Sequence, residues 1–155
     1  MLSQTETEVL FTAVAHARIS GEFLQNISAP PVHRDDGSAF ARHDLYSPDF
    51  PVSEDAFTAF VKNNQVAQLF ADFPPDMQIE LYAPQTFASL SAAEENRWRV
   101  FFTLSRPGVS QDEQSALMQV TAHCPAGPPN YGSIYLLQKS PAGWQVKFNF
   151  GLYNQ

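Results

Sequence analysis

Two short runs of the sequence carry residue types that bind metal ions. His33, Asp35 and Asp36 lie close together in the chain, and His43 and Asp44 follow a few residues later. Imidazole and carboxylate groups are ligands of Zn²⁺ and similar ions. Their spacing fits no standard metal site, and the run around Asp35 lacks the alternating acids and final glutamate of a calcium loop. We therefore interpret this stretch as a solvated polar loop and predict neither a metal site nor a cofactor.

A histidine and the single cysteine are adjacent in the chain, at His123 and Cys124. A cysteine nucleophile needs an imidazole within hydrogen-bond reach of its sulfur. Both residues fall in a predicted strand, where neighbouring side chains point to opposite faces of the sheet. The sequence therefore predicts a buried, structural Cys124 and no catalytic residue, so an enzyme is not the favoured interpretation.

The candidates for a ligand pocket are aromatic or can form hydrogen bonds. Tyr131 flanks a strand end, where its hydroxyl could reach a pocket rim. Trp98, Phe101 and Phe102 have the i, i+3, i+4 spacing of one helix face, which is typical of core packing. The alternative is that Trp98 lines an apolar pocket. We take Trp98, His123 and Tyr131 as the candidate pocket residues.

Residues 29–50 form the least regular part of the sequence. The segment contains several prolines and an Asp-Asp-Gly run, and it shows no helix or strand pattern. Long segments without secondary structure are uncommon in compact domains and are usually functional or disordered. Because Phe40, Tyr46 and Phe50 carry large apolar side chains, we predict that the segment lies against the body of the protein and contributes an interaction surface.

The composition indicates a folded, acidic protein. The 155 residues are 44% hydrophobic and only 16% charged, with thirteen phenylalanines and a net charge of −7. The length predicts a single domain over residues 1–155, and the hydrophobicity excludes a disordered chain. The acidic balance argues against nucleic-acid binding, which needs a basic surface. One cysteine, no visible signal peptide and no membrane-spanning apolar run predict a cytoplasmic protein that does not bind membranes.

Apolar periodicity predicts helices that mostly precede a set of strands. The first helix has two candidate capping boxes, Ser3 with Glu6 and Thr5 with Glu8. Helices that are separate from hairpin-linked strands along the chain are typical of an α+β fold. We predict N-terminal helices packed on one face of a curved antiparallel sheet of about four strands. The predicted helices are residues 5–19, 53–62 and a third from Ser91, and the strands are residues 77–82, 115–124, 133–139 and 144–150. Ser53 is the predicted N-cap of the second helix, and Asn63 and Asn64 can end it. The strands 115–124 and 144–150 each alternate with one apolar face, whereas 133–139 is apolar on both faces and is predicted to be central in the sheet.

Several motifs resemble those of a family of uncharacterised small bacterial α+β proteins. They are the Trp-x-x-Phe-Phe run at Trp98, the Gly-x-x-Tyr-Leu-Leu run that begins at Gly132, and the Gly-Trp-Gln-Val run at Gly143, which is similar to the family's Gly-x-Trp-x-Val. Where the family tends to have Tyr-Pro, this chain has Arg106 and Pro107. The closing hairpin also resembles the last strands of the fold typified by nuclear transport factor 2. The resemblance implies a bacterial protein with a curved sheet and implies no activity.

Three functional hypotheses are compatible with these features. The leading one is a non-catalytic binding or interaction domain, for example a toxin-neutralising protein, whose acidic surface attracts a basic protein partner. The alternative is a small-molecule-binding protein or enzyme with an apolar pocket under the sheet, to which His123, Tyr131 or residues 33–44 contribute polar groups. A homodimer formed through the exposed sheet face is the third.

Overall fold

The computed structural model describes residues 2–19, 23–30, 42–70 and 73–154 of the chain. Within these ranges, short 3-10 turns connect several of the helices and strands. None of the helices in the described ranges is long and apolar enough to cross a membrane. The helices are α1 (Gln4–His16), α2 (Glu54–Asn63) and α3 (Pro84–Ala92). The strands are β1 (Phe23–Gln25), β2 (Glu80–Tyr82), β3 (Phe101–Leu104), β4 (Gly108–Val109), β5 (Ser115–Cys124), β6 (Gly127–Ser140) and β7 (Gly143–Asn154).

The strands form one mixed sheet. Its order is β2-β1-β3-β5-β6-β7, and the short β4 pairs with β5 further along the same edge as β3. β1 runs parallel to β2 and β3, whereas the pairs among β3 to β7 are antiparallel. β6 lies between β5 and β7 and is buried on both faces over residues 133–137. This confirms the prediction that the apolar run of β6 occupies a central position in the sheet.

α1 covers one face of the sheet. Of the two candidate capping boxes, the helix uses the one formed by Ser3 and Glu6. The Ser3 hydroxyl accepts from the Glu6 N–H, and the Glu6 carboxylate accepts from the Ser3 N–H. The buried face of α1 has the spacing expected of an amphipathic helix. It consists of Val9, Leu10, Ala13 and Val14, which pack with Ala116, Met118, Val120 and Ala122 of β5.

α2 covers the opposite face of the sheet. The Ser53 hydroxyl caps the helix by accepting from the Ala56 N–H at 3.1 Å, and Asn64 ends the helix, both as the sequence predicts. Phe60 is fully buried and packs with Leu117, which alternates along β5 with the residues that face α1. The other buried members of this second core cluster are Leu45, Val52, Ile134, Leu136 and Phe150.

α2 also approaches the backbone of β4 very closely at Gly108. A Cβ atom at this position would overlap the backbone nitrogen and Cα of Phe60. Gly108 is paired with Leu117 in the sheet, so the missing side chain lets Phe60 reach Leu117 directly. The contact between α2 and the sheet therefore requires glycine at this position.

The observed layers differ from the predicted ones in two ways. The fold is α+β, but its helices pack on both faces of the sheet, and the sheet has seven mixed strands in the described residues instead of about four antiparallel ones. The sequence predicts one buried face for β5, whereas both faces are buried over residues 116–120. A strand that is buried on both faces needs a layer on each side, which α1 and α2 supply.

The predicted third helix is wrong. α3 ends within two residues of Ser91, where the predicted helix begins, and the two phenylalanines of that prediction lie in β3. Phe101 packs edge-on against Phe87 of α3, with ring centroids 5.5 Å apart, while Phe102 enters the core beneath α1. Successive buried aromatic residues suit a strand buried on both faces, so the helical spacing of these two residues with Trp98 is coincidental.

Candidate functional site

Trp98 lies on the surface and does not join the core. Its side chain is 66% exposed, and its ring covers Gly127 at the start of β6, where a Cβ would lie 3.2 Å from the indole. The Arg97 guanidinium lies 5.9 Å from the centre of the ring. The predicted core packing of Trp98 is therefore wrong, and the residue covers the β5–β6 turn.

His123 and Cys124 diverge as the sequence predicts. The His123 side chain is exposed, and its Nδ1 atom forms a hydrogen bond with Oδ1 of Asn130. The buried Cys124 thiol donates to the carbonyl oxygen of Arg97 at 3.5 Å on the other side of the strand. These two residues therefore form no thiol–imidazole pair. Tyr131 pairs with a residue of β5 that faces α1, so the structure does not bring it together with His123 either.

Most of the predicted polar loop lies outside the described residues, including His33, Asp35 and Asp36. Within the part of the chain that the structure describes, no group of three His, Cys, Asp or Glu side chains is arranged to hold a metal ion.

The predicted interaction segment is described from residue 42 onward, so Phe40 lies outside the described residues. A 3-10 turn, Arg42–Asp44, is followed by irregular chain. The Tyr46 side chain is 74% exposed, whereas Phe50 is half-buried with its ring 6.3 Å from that of Phe148 in β7. This part of the segment thus lies against the sheet, as predicted, and presents Tyr46 to solvent.

A polar concavity of about 410 Å³ lies beside the end of α1, on the face of the sheet that α1 covers. Tyr131, Ser133 and Tyr135 alternate along β6 and therefore point to this face. In β7, Asn149 is paired with Tyr135, and Gly151 is paired with Ser133. We call this concavity the tyrosine pocket, and its lining residues are His16, Ala17, Tyr131, Ser133, Tyr135, Asn149 and Gly151.

Tyr135 is the buried member of the tyrosine pocket. It is 4% exposed, and its ring meets the His16 imidazole edge-on with centroids 5.2 Å apart. Its hydroxyl forms no hydrogen bond with any residue that the structure describes. Burial, together with the neighbouring Tyr131, raises the pKa of Tyr135 to about 12, and burial also raises the pKa of Tyr131. Both phenols therefore stay protonated and able to donate hydrogen bonds at neutral pH.

A second concavity of about 530 Å³ lies between α2 and the loop that joins β4 to β5. Glu54 and Asp55, in the first turn of α2, line it, and Asp112 and Glu113 follow directly in the loop. Lys62 is the one basic residue of its described lining. We call this concavity the acidic groove, and its lining residues are Glu54, Asp55, Thr58, Ala59, Lys62, Val109 and Gln111.

Asp55 is the carboxylate of the acidic groove that joins α2 to the loop by hydrogen bonds. It accepts hydrogen bonds from the Ser53 hydroxyl and, at 2.6 Å, from the Gln111 N–H. These two hydrogen bonds, that of Ser53 above all, lower the pKa of Asp55. Glu113, in the adjoining loop, accepts from the Thr5 hydroxyl of α1 at 2.7 Å. The hydrogen bonds of Asp55 thus hold one carboxylate of the groove in position.

An apolar cleft of about 470 Å³ lies on the outer side of α1. Phe11 of α1 and Leu69 of the segment before residue 71 form its two walls, and Leu69 is largely exposed. Gln68 and Thr7 are its polar lining residues, so hydrogen-bonding groups do not converge in it as they do in the tyrosine pocket.

A buried polar network joins α1, α2 and the link between β3 and β4. Glu6 accepts from Nε of Arg106 at 2.8 Å. The Asn64 amide accepts from the Arg106 N–H at 2.7 Å and donates to the Arg106 carbonyl at 2.8 Å. Asn63 donates to the carbonyl of Pro107 at 3.0 Å. We assign this network a structural role because its polar groups satisfy one another inside the protein.

None of the family models, curated proteins or solved structures compared with this chain matches it. The resemblance to small bacterial α+β proteins therefore stays a prediction, and functional inference depends on the two polar concavities.

Proposed function

We propose that this protein is a non-catalytic binding domain whose acidic groove holds a basic segment of a protein partner. The observation that carries the proposal is a groove lined by two carboxylates, Glu54 and Asp55, with a single lysine among its described residues. Asp112 and Glu113 add negative charge in the adjoining loop. A groove of net negative charge attracts basic segments and accelerates their association.

The groove also offers contacts that a basic side chain can use after encounter. Val109 and Ala59 provide apolar surface, against which the methylene groups of lysine or arginine can pack. Asp55 is held in position by Ser53 and Gln111, so little side-chain entropy is lost when it receives a guanidinium or ammonium group. These features favour a lysine- or arginine-bearing segment over a neutral one.

The arrangement of Cys124 and His123 is compatible with a non-catalytic role. Cys124 is buried and His123 lies on the opposite side of the same strand, so these two residues do not form the pair that a cysteine nucleophile requires.

The test measures binding to basic proteins encoded beside this protein's gene, by calorimetry at low salt and at about 0.3 M salt. Glu54→Gln/Glu113→Gln removes one charge from the groove lining and one from the adjoining loop, and it keeps the side-chain shapes. Exposed charge contacts contribute about 0.2–1 kcal/mol each, so we expect the affinity to fall about threefold to tenfold. Binding of the unchanged protein should also weaken at the higher salt concentration.

The matched control is Glu80→Gln/Glu95→Gln, which removes the same charge from two exposed glutamates outside the groove. We expect this variant to bind as the unchanged protein does. An equal loss of affinity in both variants would show that only net charge matters, and failure to bind any of the basic proteins would contradict the proposal.

We also propose small-molecule binding as a second candidate function, and the tyrosine pocket is the observation that favours it. Its volume falls in the range of about 300–1,000 Å³ that is typical of ligand sites. Several hydrogen-bonding side chains converge there, which is the second common property of such sites.

A further inference from the structure

We propose that the tyrosine pocket binds a neutral, hydroxyl-rich small molecule of about the size of a monosaccharide. The inference rests on the second candidate function and assigns its ligand class, and it is independent of partner binding at the acidic groove.

The charge of the pocket favours a neutral ligand. Its described lining contains no Asp, Glu, Lys or Arg, and His16 is its one titratable group besides the two tyrosines. A charged ligand that entered would lose hydration without meeting a fixed counter-charge, which is costly. His16 and Ala17, at the C-terminal end of α1, line the pocket, and the partial negative charge at a helix C-terminus further disfavours an anion.

The hydrogen-bonding groups favour a ligand whose own groups both donate and accept. Hydroxyls and amides have this dual capacity, and the pocket presents the hydroxyls of Tyr131, Ser133 and Tyr135 together with the Asn149 amide. A sugar hydroxyl has the same capacity, so several such pairs can form at once. Ligands that only accept or only donate would leave some of these groups without partners.

Tyr135 provides the second, independent observation. The residue is 4% exposed and packs in the core around α1, so its ring is held in place. Tyr135 also lines the pocket, and its hydroxyl forms no hydrogen bond within the described part of the chain. It can therefore donate to a ligand hydroxyl without breaking a hydrogen bond inside the protein and with little loss of side-chain entropy.

The shape of the pocket leaves room for such a ligand. Gly151 forms part of its lining, and a Cβ built there would meet no atom within 4 Å. The space above the strand is therefore open at this point. The rings of Tyr131 and Tyr135 provide apolar surface for the C–H groups of a sugar ring.

Calorimetry and saturation-transfer NMR on the full chain test the inference with glucose, galactose, mannose and N-acetylglucosamine. Sugar concentrations up to about 50 mM are high enough to detect millimolar dissociation constants. We expect at least one of these sugars to bind, and Tyr135→Phe to weaken it about three- to tenfold through the loss of one hydrogen bond. Gly151→Val should abolish binding by filling the pocket, while its open surroundings let the protein fold.

Tyr46→Phe is the matched control, because it removes the hydroxyl of an exposed tyrosine outside the pocket. It should bind the sugar unchanged. Glucosamine and glucuronate, which carry a charge on the same ring size, should bind more weakly than the neutral sugars.

Three results would overturn the inference. No binding of any neutral sugar would contradict both the ligand class and small-molecule binding of this kind at the pocket. Tighter binding of a charged analogue would contradict the neutral ligand class alone and would leave small-molecule binding standing. Unchanged affinity in both Tyr135→Phe and Gly151→Val would place the sugar elsewhere on the protein.

Discussion

Replacing Arg106 with methionine should destabilise the protein because it leaves a buried carboxylate without its counter-charge. The side chain of Glu6 is 8% exposed, and that of Arg106 is 25% exposed. Two nitrogens of Arg106 donate to the two carboxylate oxygens, at 2.8 and 3.3 Å. The ion pair joins the first turn of α1 to the link between β3 and β4, so breaking it should destabilise both elements.

The expected loss of stability depends on how deeply the Glu6–Arg106 ion pair is buried. Removing one partner of a fully buried ion pair costs about 3–5 kcal/mol, whereas exposed pairs contribute about 0–1 kcal/mol. Arg106 is partly exposed, and the remaining carboxylate keeps the Ser3 N–H at 2.7 Å. We therefore expect the free energy of unfolding to fall by about 2–3 kcal/mol. For a chain of this length, this loss lowers the melting temperature by roughly 5–10 °C.

The assay is urea unfolding followed by circular dichroism for Arg106→Met, Glu6→Gln and the double variant. The carboxylate charge that Arg106→Met leaves unpaired is absent in the double variant. The losses of unfolding free energy in the two single variants should therefore add up to at least about 1 kcal/mol more than the loss in the double variant. Arg97→Met is the control, because it breaks the exposed ion pair with Glu94. Strictly additive losses, or a loss from Arg106→Met no larger than that from Arg97→Met, would refute the reasoning.

Two further perturbations test packing and burial. Gly108→Ala should lower the free energy of unfolding by about 3 kcal/mol, because its methyl group would overlap the Phe60 backbone. Gly151→Ala has open space around the new atom and should change the free energy of unfolding by less than about 1 kcal/mol. Thermal melts of both variants check these two values. The Tyr135 phenol, with a folded-state pKa of about 12, ionises near pH 10 once unfolded, so the protein should lose up to about 2 kcal/mol of stability between pH 10 and pH 12 through this group. Tyr135→Phe should lack this part of the alkaline loss in urea unfolding, and equal losses in both proteins would contradict the raised pKa.

The features that the sequence predicted correctly depend on local chemistry. The serines that begin α1 and α2, and the asparagine that ends α2, act through hydrogen bonds within one turn of the helix, so their spacing in the chain is sufficient to recognise them. The alternation of β7 and the two-sided apolar character of β6 are likewise visible from neighbouring residues alone.

The features that the sequence missed depend on contacts between distant segments. β3 and β4 are short, and only their pairing with β5 makes them strands. Phe101 and Phe102 fit either a helix face or a strand that is buried on both sides, and local periodicity does not distinguish these cases. Gly108 has no sequence signal, since its role is set by a helix that lies more than forty residues earlier in the chain.

The residues of the tyrosine pocket also divide into those with a local sequence signal and those placed by contacts between distant segments. The sequence places Tyr131 just before a strand that begins at residue 133, whereas β6 begins at Gly127 and contains Tyr131. It predicts Tyr135 only as a member of that buried strand. The available signal is the series Tyr131, Ser133 and Tyr135, in which three successive residues on one face of β6 carry a hydroxyl. His16 and Asn149 could not be assigned to the pocket without knowing that α1 ends above the β6–β7 pair.

The positions of the two concavities make the two functional proposals separable. The tyrosine pocket opens on the face that α1 covers, whereas the acidic groove runs along α2, which packs on the other face. Glu54→Gln/Glu113→Gln alters no residue that lines the pocket, and Tyr135→Phe alters no charge in the groove. If either variant changed both sugar binding and partner binding, the sheet would have to transmit the change, and the picture of two independent sites would be wrong.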